Sequence, residues 1–311
     1  MTVPPALSSD ALFTKSKVYM QRALARKDAH DLDEYQLWAS LALELLGKSV
    51  LAELHPSLVA DPQSSDSLFA AAGRVVSTDI KTISAKTLFL RLGNMSARFD
   101  KTVADFCNAI AQRRNAELHS GDAPFRAMRL DAWLDRFWHA AEVILSIRSQ
   151  NLETWLGADQ AAAPKALLEH AASARADAVG VRIGNARDAF SRRTSGERTR
   201  TLDDLASKTT THFTDLFEAS GDAIWRDACP ACTGQAFVTG EQVSEEITDQ
   251  GADTDWAWET VEQTFSPEEF HCPACELRLR GFAELEVAGL GGEHTEEIER
   301  ELEYEPEYGN D

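Results

Sequence analysis

The sequence predicts a mainly α-helical protein with a small β-rich zinc ribbon near its C-terminus. Apolar residues recur at helical spacing as far as residue 228, and no strand pattern is recognised before residue 230. Two identical Cys-Pro-Ala-Cys motifs, separated by 39 residues, enclose segments rich in Val, Thr, Phe and Trp. These observations predict four parts: a helical bundle over 1–150, a helical connector over 151–228, a zinc ribbon over 229–292 and an acidic tail over 293–311.

The bundle is predicted from polar caps and apolar stripes. Ser8 and Ser9 are suited to cap a first helix that runs to about Lys27, and Asp31 is suited to cap a second. Residues 55–67 contain two prolines and a serine cluster, which indicates a loop. Further helices are predicted around 68–76 and 84–96, from Phe99 to His119 and from Phe125 to Gln150.

The connector contains the most basic segment of the chain. Residues 182–200 carry six arginines against Asp188 and Glu197. The segment is predicted to form a solvated helix face. The alternative, which is the more specific functional hypothesis, is that it contacts an RNA backbone. The six arginines are Arg182, Arg187, Arg192, Arg193, Arg198 and Arg200.

The net charge of −20 is unevenly distributed. Residues 1–200 contain 26 Lys and Arg against 23 Asp and Glu, whereas residues 201–311 contain 5 against 28. The first two thirds of the chain can therefore meet an anionic partner without a large repulsive field. The acidic tail is predicted to be a frayed helix and solvated coil, with autoinhibition of a basic groove as the alternative.

The sequence also indicates a location. No run of 18 apolar residues occurs, and Met1 to Asp10 lack the basic region and apolar core of a secretory signal. We therefore expect a cytoplasmic protein with reduced cysteines and no membrane partner.

Four of the five cysteines have the spacing of zinc ligands. Two thiolate pairs at two-residue spacing can close a tetrahedral site, each pair wrapping the metal with its own backbone turn. The alternative is a redox site, but two copies and the lack of a strand-helix-strand pattern disfavour it. We expect one structural zinc per chain, without catalytic function, on Cys229, Cys232, Cys272 and Cys275. His271 is not expected to be a ligand, and Cys107 is expected to be a core residue.

A polar group lies at the end of the helix that is predicted to finish at His119. Gly121 is expected to be the C-cap, and residues 122–124 are expected to begin the next helix. Asn115 precedes His119 by four residues, so their side chains share a face, and Arg114 comes directly before Asn115. An imidazole moves protons near neutral pH, and a guanidinium binds phosphate with two hydrogen bonds. Alternatively, the basic residues simply face the negative end of the helix dipole.

These residues resemble a known motif. Arg114-Asn115-x-x-x-His119 is similar to the Arg-x(4–6)-His motif of HEPN-domain ribonucleases, in which a polar residue commonly follows the arginine. Residues 41–48 (LALELLGK) resemble the second-helix pattern of many members, where an acidic residue, here Glu44, supports the site. The resemblance covers roughly residues 8–150. It implies a HEPN-like bundle that forms a homodimer, with the two motifs facing each other across a cleft.

The resemblance implies a metal-independent endoribonuclease of toxin or antiviral-defence type, with RNA as substrate and a protein partner or antitoxin as a further expectation. His119 would accept the proton of a ribose 2′-hydroxyl or protonate the leaving 5′-oxygen, and Arg114 would hold the phosphate. Asn115 would orient His119 or bind the phosphate. The products would carry 2′,3′-cyclic phosphate and 5′-hydroxyl ends.

Two alternatives stay open. Glu44 would support Arg114, but it also stands four residues before Lys48, which favours a surface glutamate in a helical ion pair with Lys48. Other family members keep the fold without cleaving RNA. The rival hypothesis is therefore a non-catalytic module that dimerises or binds a nucleotide, with the zinc ribbon as a docking platform.

Overall fold

The computed structural model describes residues 3–207, 217, 221–250 and 258–301. The chain divides into two compact units, residues 1–175 and 176–311. The first is helical, and the second combines helical segments with an antiparallel sheet, so the mainly α prediction with a small β part is confirmed. The connector predicted over 151–228 is divided between the two units. Among the described helices, none is long and apolar enough to cross a membrane.

Side-chain caps begin most helices of the first unit. Ser8 accepts a hydrogen bond from the Ala11 amide, and Asp31 accepts one from the Glu34 amide, as their residue types predict. Short 3-10 helices span Pro5–Leu7 and Pro56–Leu58. The α-helices are α1 (Ser9–Asp28), α2 (Leu32–Leu54), α3 (Ser65–Ala71), α4 (Ala85–Gly93), α5 (Lys101–His119), α6 (Asp131–Ile147), α7 (Leu152–Leu156) and α8 (Ala158–Ser191), of which residues 158–175 belong to the first unit.

The core of the first unit is built around α2, which contacts α1, α4, α5 and α6. Aromatic rings fill the space between α2 and α6: Tyr35 meets Trp133 edge-on at 5.4 Å between centroids, and Trp133 stacks on Phe137 at 4.5 Å. Such pairs add to the free energy of burying their area. Cys107 is fully buried in this core, as predicted.

The end of α5 differs from the prediction in its cap. The helix ends at His119, but Ser120 is the C-cap, in extended backbone with φ −129° and ψ 177°. The Ser120 amide and hydroxyl both donate to the Ala116 carbonyl, at 2.9 and 2.7 Å. This carbonyl is therefore satisfied without a left-handed residue, and the prediction of Gly121 as C-cap was wrong. Residues 124–127 form a turn, and α6 begins at Asp131, later than predicted.

The second unit contains a five-stranded antiparallel sheet. Its strands are β1 (Ala223–Ala228), β2 (Gln235–Gln250), β3 (Trp258–His271), β4 (Arg278–Arg280) and β5 (His294–Glu301). β2 lies between β1 and β3, while β4 and β5 pair with the other edge of β3, one at each end. The unit also contains residues 176–191 of α8, α9 (Ser195–Ser207) and α10 (Phe282–Val287). Buried side chains of both helical segments, including Val179, Phe190 and Leu205, join the apolar cluster around the cysteines.

Two expectations about this unit were wrong. β1 precedes residue 230, where no strand was predicted, and its register pairs Trp225 with Val238. Residues 294–301 form β5 rather than a frayed helix or coil, and residues 302–311 lie outside the described residues. The strand tolerates its many glutamates because Ile298 pairs with Val261, and because Arg300 binds Glu259 and Glu245 at 2.6 and 2.7 Å.

Candidate functional site

A buried ion network joins α2 to α5. Glu44 on α2 forms an ion pair with Lys48, at 2.8 Å, and a second one with Arg114 on α5. Lys48 also donates to the hydroxyl of Thr82, at 2.9 Å. The three charged side chains are only 9% to 15% exposed. Two cations therefore share one carboxylate, and the network keeps one net positive charge.

Arg114 is held on two sides. Its Nε and Nη2 atoms both donate to the Oδ1 atom of Asn115, at 3.1 and 2.8 Å, while Nη1 donates to Glu44. A guanidinium has five N–H groups, so these contacts fix its plane and leave two donors for a further acceptor.

The charge state of Glu44 follows from its neighbours. Burial acts to raise the pKa of Glu44, but the charges and hydrogen bonds of Lys48 and Arg114 outweigh burial and leave the pKa below its ordinary value. Glu44 is therefore ionised at neutral pH and holds Arg114 as a carboxylate.

The predicted site residues on α5 differ in their exposure to solvent. Arg114 is buried and faces α2, whereas Asn115 and His119 are exposed on the last turns of α5. Glu44, Arg114 and Asn115 are in contact. In the part of the chain that the structure describes, the His119 side chain has no hydrogen bond or ion pair, and the residue is exposed to solvent.

Sequence reasoning missed the function of Lys48 and Thr82 in the network. The spacing of Glu44 and Lys48 was recognised, but as the signature of a surface pair. Lys48 is 7% exposed in a helix whose neighbours Leu43, Leu46 and Leu51 are buried. The apolar residues around Glu44 and Lys48 were the available signal that the pair is buried.

A second site lies at two turns of the sheet. The β1–β2 turn carries Cys229 and Cys232, and the β3–β4 turn carries Cys272 and Cys275. The two turns have the same backbone. In each, the amide of the first cysteine donates to the carbonyl five residues later, at 2.9 Å, and the residue after the second cysteine has a positive φ, 59° at Thr233 and 61° at Glu276. Each turn thus directs both of its sulfurs to one point.

The four sulfurs lie within 4.8 Å of one another. Two contacts of 3.5 Å join Cys229 to Cys275 and Cys232 to Cys272, across the two motifs. A tetrahedral zinc with Zn–S bonds of about 2.3 Å would hold its sulfurs about 3.8 Å apart. All four cysteines are free thiols, so they are available as ligands, and the cluster has the geometry of a four-thiolate metal site.

The thiols of this cluster do not ionise independently. Hydrogen bonding with Cys229 lowers the pKa of Cys232 and raises the pKa of Cys272. Four thiolates this close repel one another strongly, which a bound cation relieves.

Part of the basic segment supports this site. Arg187 on α8 donates to the carbonyls of Pro230 and Ala231, at 2.9 and 3.3 Å, inside the first cysteine motif. Arg182 pairs with Glu284 of α10 at 2.7 Å. The segment was predicted to form a solvated helix face, but these two arginines bind other parts of the protein. Sequence reasoning could not find the Arg187 contact, because more than 40 residues separate its partners.

Comparisons of the chain with protein-family models, with curated proteins and with solved structures found no match. The functional conclusion therefore rests on the chemistry of the two sites.

Proposed function

We propose that the helical unit is a HEPN-type, metal-independent endoribonuclease of the toxin or antiviral-defence kind, and that it acts as a homodimer. The observation that carries this proposal is the arrangement on α5. Glu44 and Asn115 hold Arg114, and His119 is exposed one turn beyond Asn115 at the end of the same helix. A fixed cation and an accessible proton carrier are groups that serve RNA cleavage without a metal.

The reaction uses the ribose 2′-hydroxyl as nucleophile. His119 accepts the proton of this hydroxyl while its oxygen attacks the adjacent phosphorus. The bond from phosphorus to the 5′-oxygen breaks, and that oxygen takes up a proton, which leaves a 2′,3′-cyclic phosphate and a 5′-hydroxyl. Arg114 stabilises the charge that develops on the phosphate oxygens.

The proton balance is the reason for proposing a homodimer. The step needs one group that accepts a proton and one that donates a proton at the same phosphate. One chain supplies a single His119, and a second copy supplies the other. Facing copies would also bring two Arg114 side chains to the phosphate.

We infer that the four-cysteine cluster holds one structural zinc. Four thiolates complete a tetrahedral shell and leave no position for water or substrate, so the metal stabilises the sheet and does not take part in cleavage. Four free thiols persist in a reducing compartment, which agrees with a cytoplasmic protein.

Mapping of RNA ends after induction tests the proposal. The parent should produce new ends with cyclic phosphate and 5′-hydroxyl groups, and His119→Ala should abolish them. His170→Ala is the matched control, because His170 is also an exposed histidine on a helix of the same unit. Cleavage by His119→Ala at the rate of the parent would contradict the proposal.

The non-catalytic alternative has one observation in its favour. The Arg114 side chain is 10% exposed and three of its donors are engaged, as in an arginine that only holds two helices together. In that case the parent cleaves no RNA, with or without divalent metal, and it purifies with a protein or a small ligand.

A further inference from the structure

One face of α1 combines basic and aromatic residues in a single row. Lys15, Tyr19, Arg22 and Arg26 stand at positions i, i+4, i+7 and i+11, so they line one side of the helix over about 16 Å. The three cations are exposed and Tyr19 is partly buried. The row runs beside the buried face of α1, which consists of Leu12, Ser16, Met20 and Ala23.

Trp38 of α2 completes the row. Its ring meets Tyr19 edge-on, with 5.2 Å between the centroids. The Arg22 guanidinium carbon lies 5.1 Å from the Trp38 centroid and 5.5 Å from that of Tyr19, and the Lys15 ammonium lies 5.5 Å from the Tyr19 centroid. Glu34 binds both Arg26, at 2.9 Å, and the Trp38 indole N–H, at 3.4 Å. These contacts hold the rings and cations in a fixed arrangement, here called the α1 platform (Lys15, Tyr19, Arg22, Arg26 and Trp38).

Two open cavities border Arg22. The first, of about 740 Å³, lies along α1 and includes Lys15 and Tyr19 in its lining, together with Asp10. The second, of about 540 Å³, lies between α1 and α2 and includes Arg26 and Trp38. Both are open to solvent, so a nucleotide can reach the residues that line them.

We propose that the α1 platform binds single-stranded RNA. An unpaired base stacks on the Arg22 guanidinium, which lies over the Trp38 ring, and a neighbouring phosphate pairs with Lys15. This inference rests on the proposed ribonuclease function, for which the platform binds the substrate with residues other than those proposed for catalysis.

The chemistry favours a single strand over other ligands. Stacking on an aromatic ring or on a guanidinium plane needs an exposed base face, which a duplex does not offer. Three cations face two carboxylates, of Asp10 and Glu34, so the platform keeps a positive charge for phosphate. An acidic peptide would use the cations but not the rings.

Binding of an uncleavable oligonucleotide tests the inference on the full chain. A short 2′-O-methyl oligoribonucleotide lacks the attacking hydroxyl, so fluorescence anisotropy measures its binding without cleavage. Trp38→Leu should weaken the affinity at least about fivefold, as the loss of one stacked base implies. Lys15→Gln should weaken binding and lower the magnitude of the slope of log K against log salt by about 0.7, because Lys15 pairs with a phosphate. Arg22→Gln should weaken binding through the lost stacking.

Lys17→Gln is the matched control. Lys17 is a cation of the same helix, but it lies over the Phe13 ring at 4.7 Å, outside the α1 platform. Its variant should bind as the parent does. Arg22 and Lys15 are exposed, so their variants should keep the melting temperature of the parent.

The outcomes separate this inference from the proposed function. If RNA is cleaved but the Lys15, Arg22 and Trp38 variants bind like the parent, the inference is overturned and the ribonuclease proposal stands. Equal competition by duplex RNA or polyglutamate would also overturn it. If the parent binds the oligonucleotide through the α1 platform but cleaves no RNA, the platform is supported and the ribonuclease proposal fails.

Discussion

Glu44 offers the sharpest test of the network between α2 and α5. One carboxylate serves two buried cations, so its replacement should destabilise the helical unit more than the loss of either cation. In Glu44→Gln, Lys48 and Arg114 remain side by side without a counter-charge. In Arg114→Met, the pair between Glu44 and Lys48 at 2.8 Å survives.

The magnitudes follow from the burial of these side chains. Removing one partner of a buried ion pair costs about 3–5 kcal/mol, because the remaining charge is left uncompensated. With side chains 9% to 15% exposed, we expect Glu44→Gln to lower the free energy of unfolding by about 3 kcal/mol. Arg114→Met removes charged hydrogen bonds but leaves no buried charge without a partner. We therefore expect it to lower the free energy of unfolding by about 1–2 kcal/mol.

The stability difference between the parent and Glu44→Gln should also depend on pH. The pKa of Glu44 in the folded protein lies below its ordinary value of 4.5, so the unfolded chain binds the proton more tightly. The ionised Glu44 carboxylate therefore stabilises the folded protein fully above pH 4.5. This stabilisation is lost as the pH falls below 4.5 and through the pKa that Glu44 has in the folded protein. The difference in stability between the parent and Glu44→Gln should shrink over that range.

Urea unfolding followed by the helical circular dichroism signal measures these differences. Glu34→Gln is the control, because Glu34 lies on the same helix and pairs with Arg26, but its side chain is 44% exposed. An exposed pair is worth less than about 1 kcal/mol. Equal losses for Glu34→Gln and Glu44→Gln, or a difference that is constant below pH 4.5, would refute the reasoning.

Two further predictions concern the cysteine cluster. Elemental analysis should find one zinc per chain in the parent, and Cys272→Ser should lose it while Cys107→Ala, which changes a buried cysteine of the first unit, retains it. A folded, zinc-free parent would exclude the metal site. Arg187→Ala removes the donors to the Pro230 and Ala231 carbonyls, so a chelator should extract zinc about tenfold more readily. The exposed neighbour Arg192 provides the control, and equal extraction from Arg187→Ala and Arg192→Ala would show that the contact does not support the metal.

Local chemistry explains what could be predicted from the sequence. Ser8 and Asp31 cap their helices because a cap depends on one side chain and an amide three residues away. The cysteine motifs were recognisable for the same reason, since each turn is closed by bonds within a few residues. The residues proposed for catalysis could be singled out because they stand within one helical turn and a half.

Distant pairing explains what could not be predicted. β1 is a short strand that finds its partner, β2, only once the first cysteine turn is folded. β5 is rich in glutamate, a residue that is disfavoured in strands, so the sequence did not predict it. It forms because it pairs with the edge of β3 and because Arg300 forms ion pairs with two glutamates. The cap of α5 was misread because a glycine near a helix end is a statistical signal, whereas the Ser120 hydroxyl is a specific donor.

The ion pairs of the two units indicate where an anionic substrate can bind. In the second unit, Arg182, Arg280 and Arg300 each pair with glutamate, so these cations are neutralised within the unit. In the first unit, Lys15 and Arg22 contact aromatic rings instead of carboxylates and keep their charge for a ligand. Because the last third of the chain carries 28 acidic residues against 5 basic ones, we expect the sheet to repel nucleic acid. If the α1 platform binds RNA as proposed, reversing charges on the sheet should change the rate of association with RNA but not the groups that hold the bound strand.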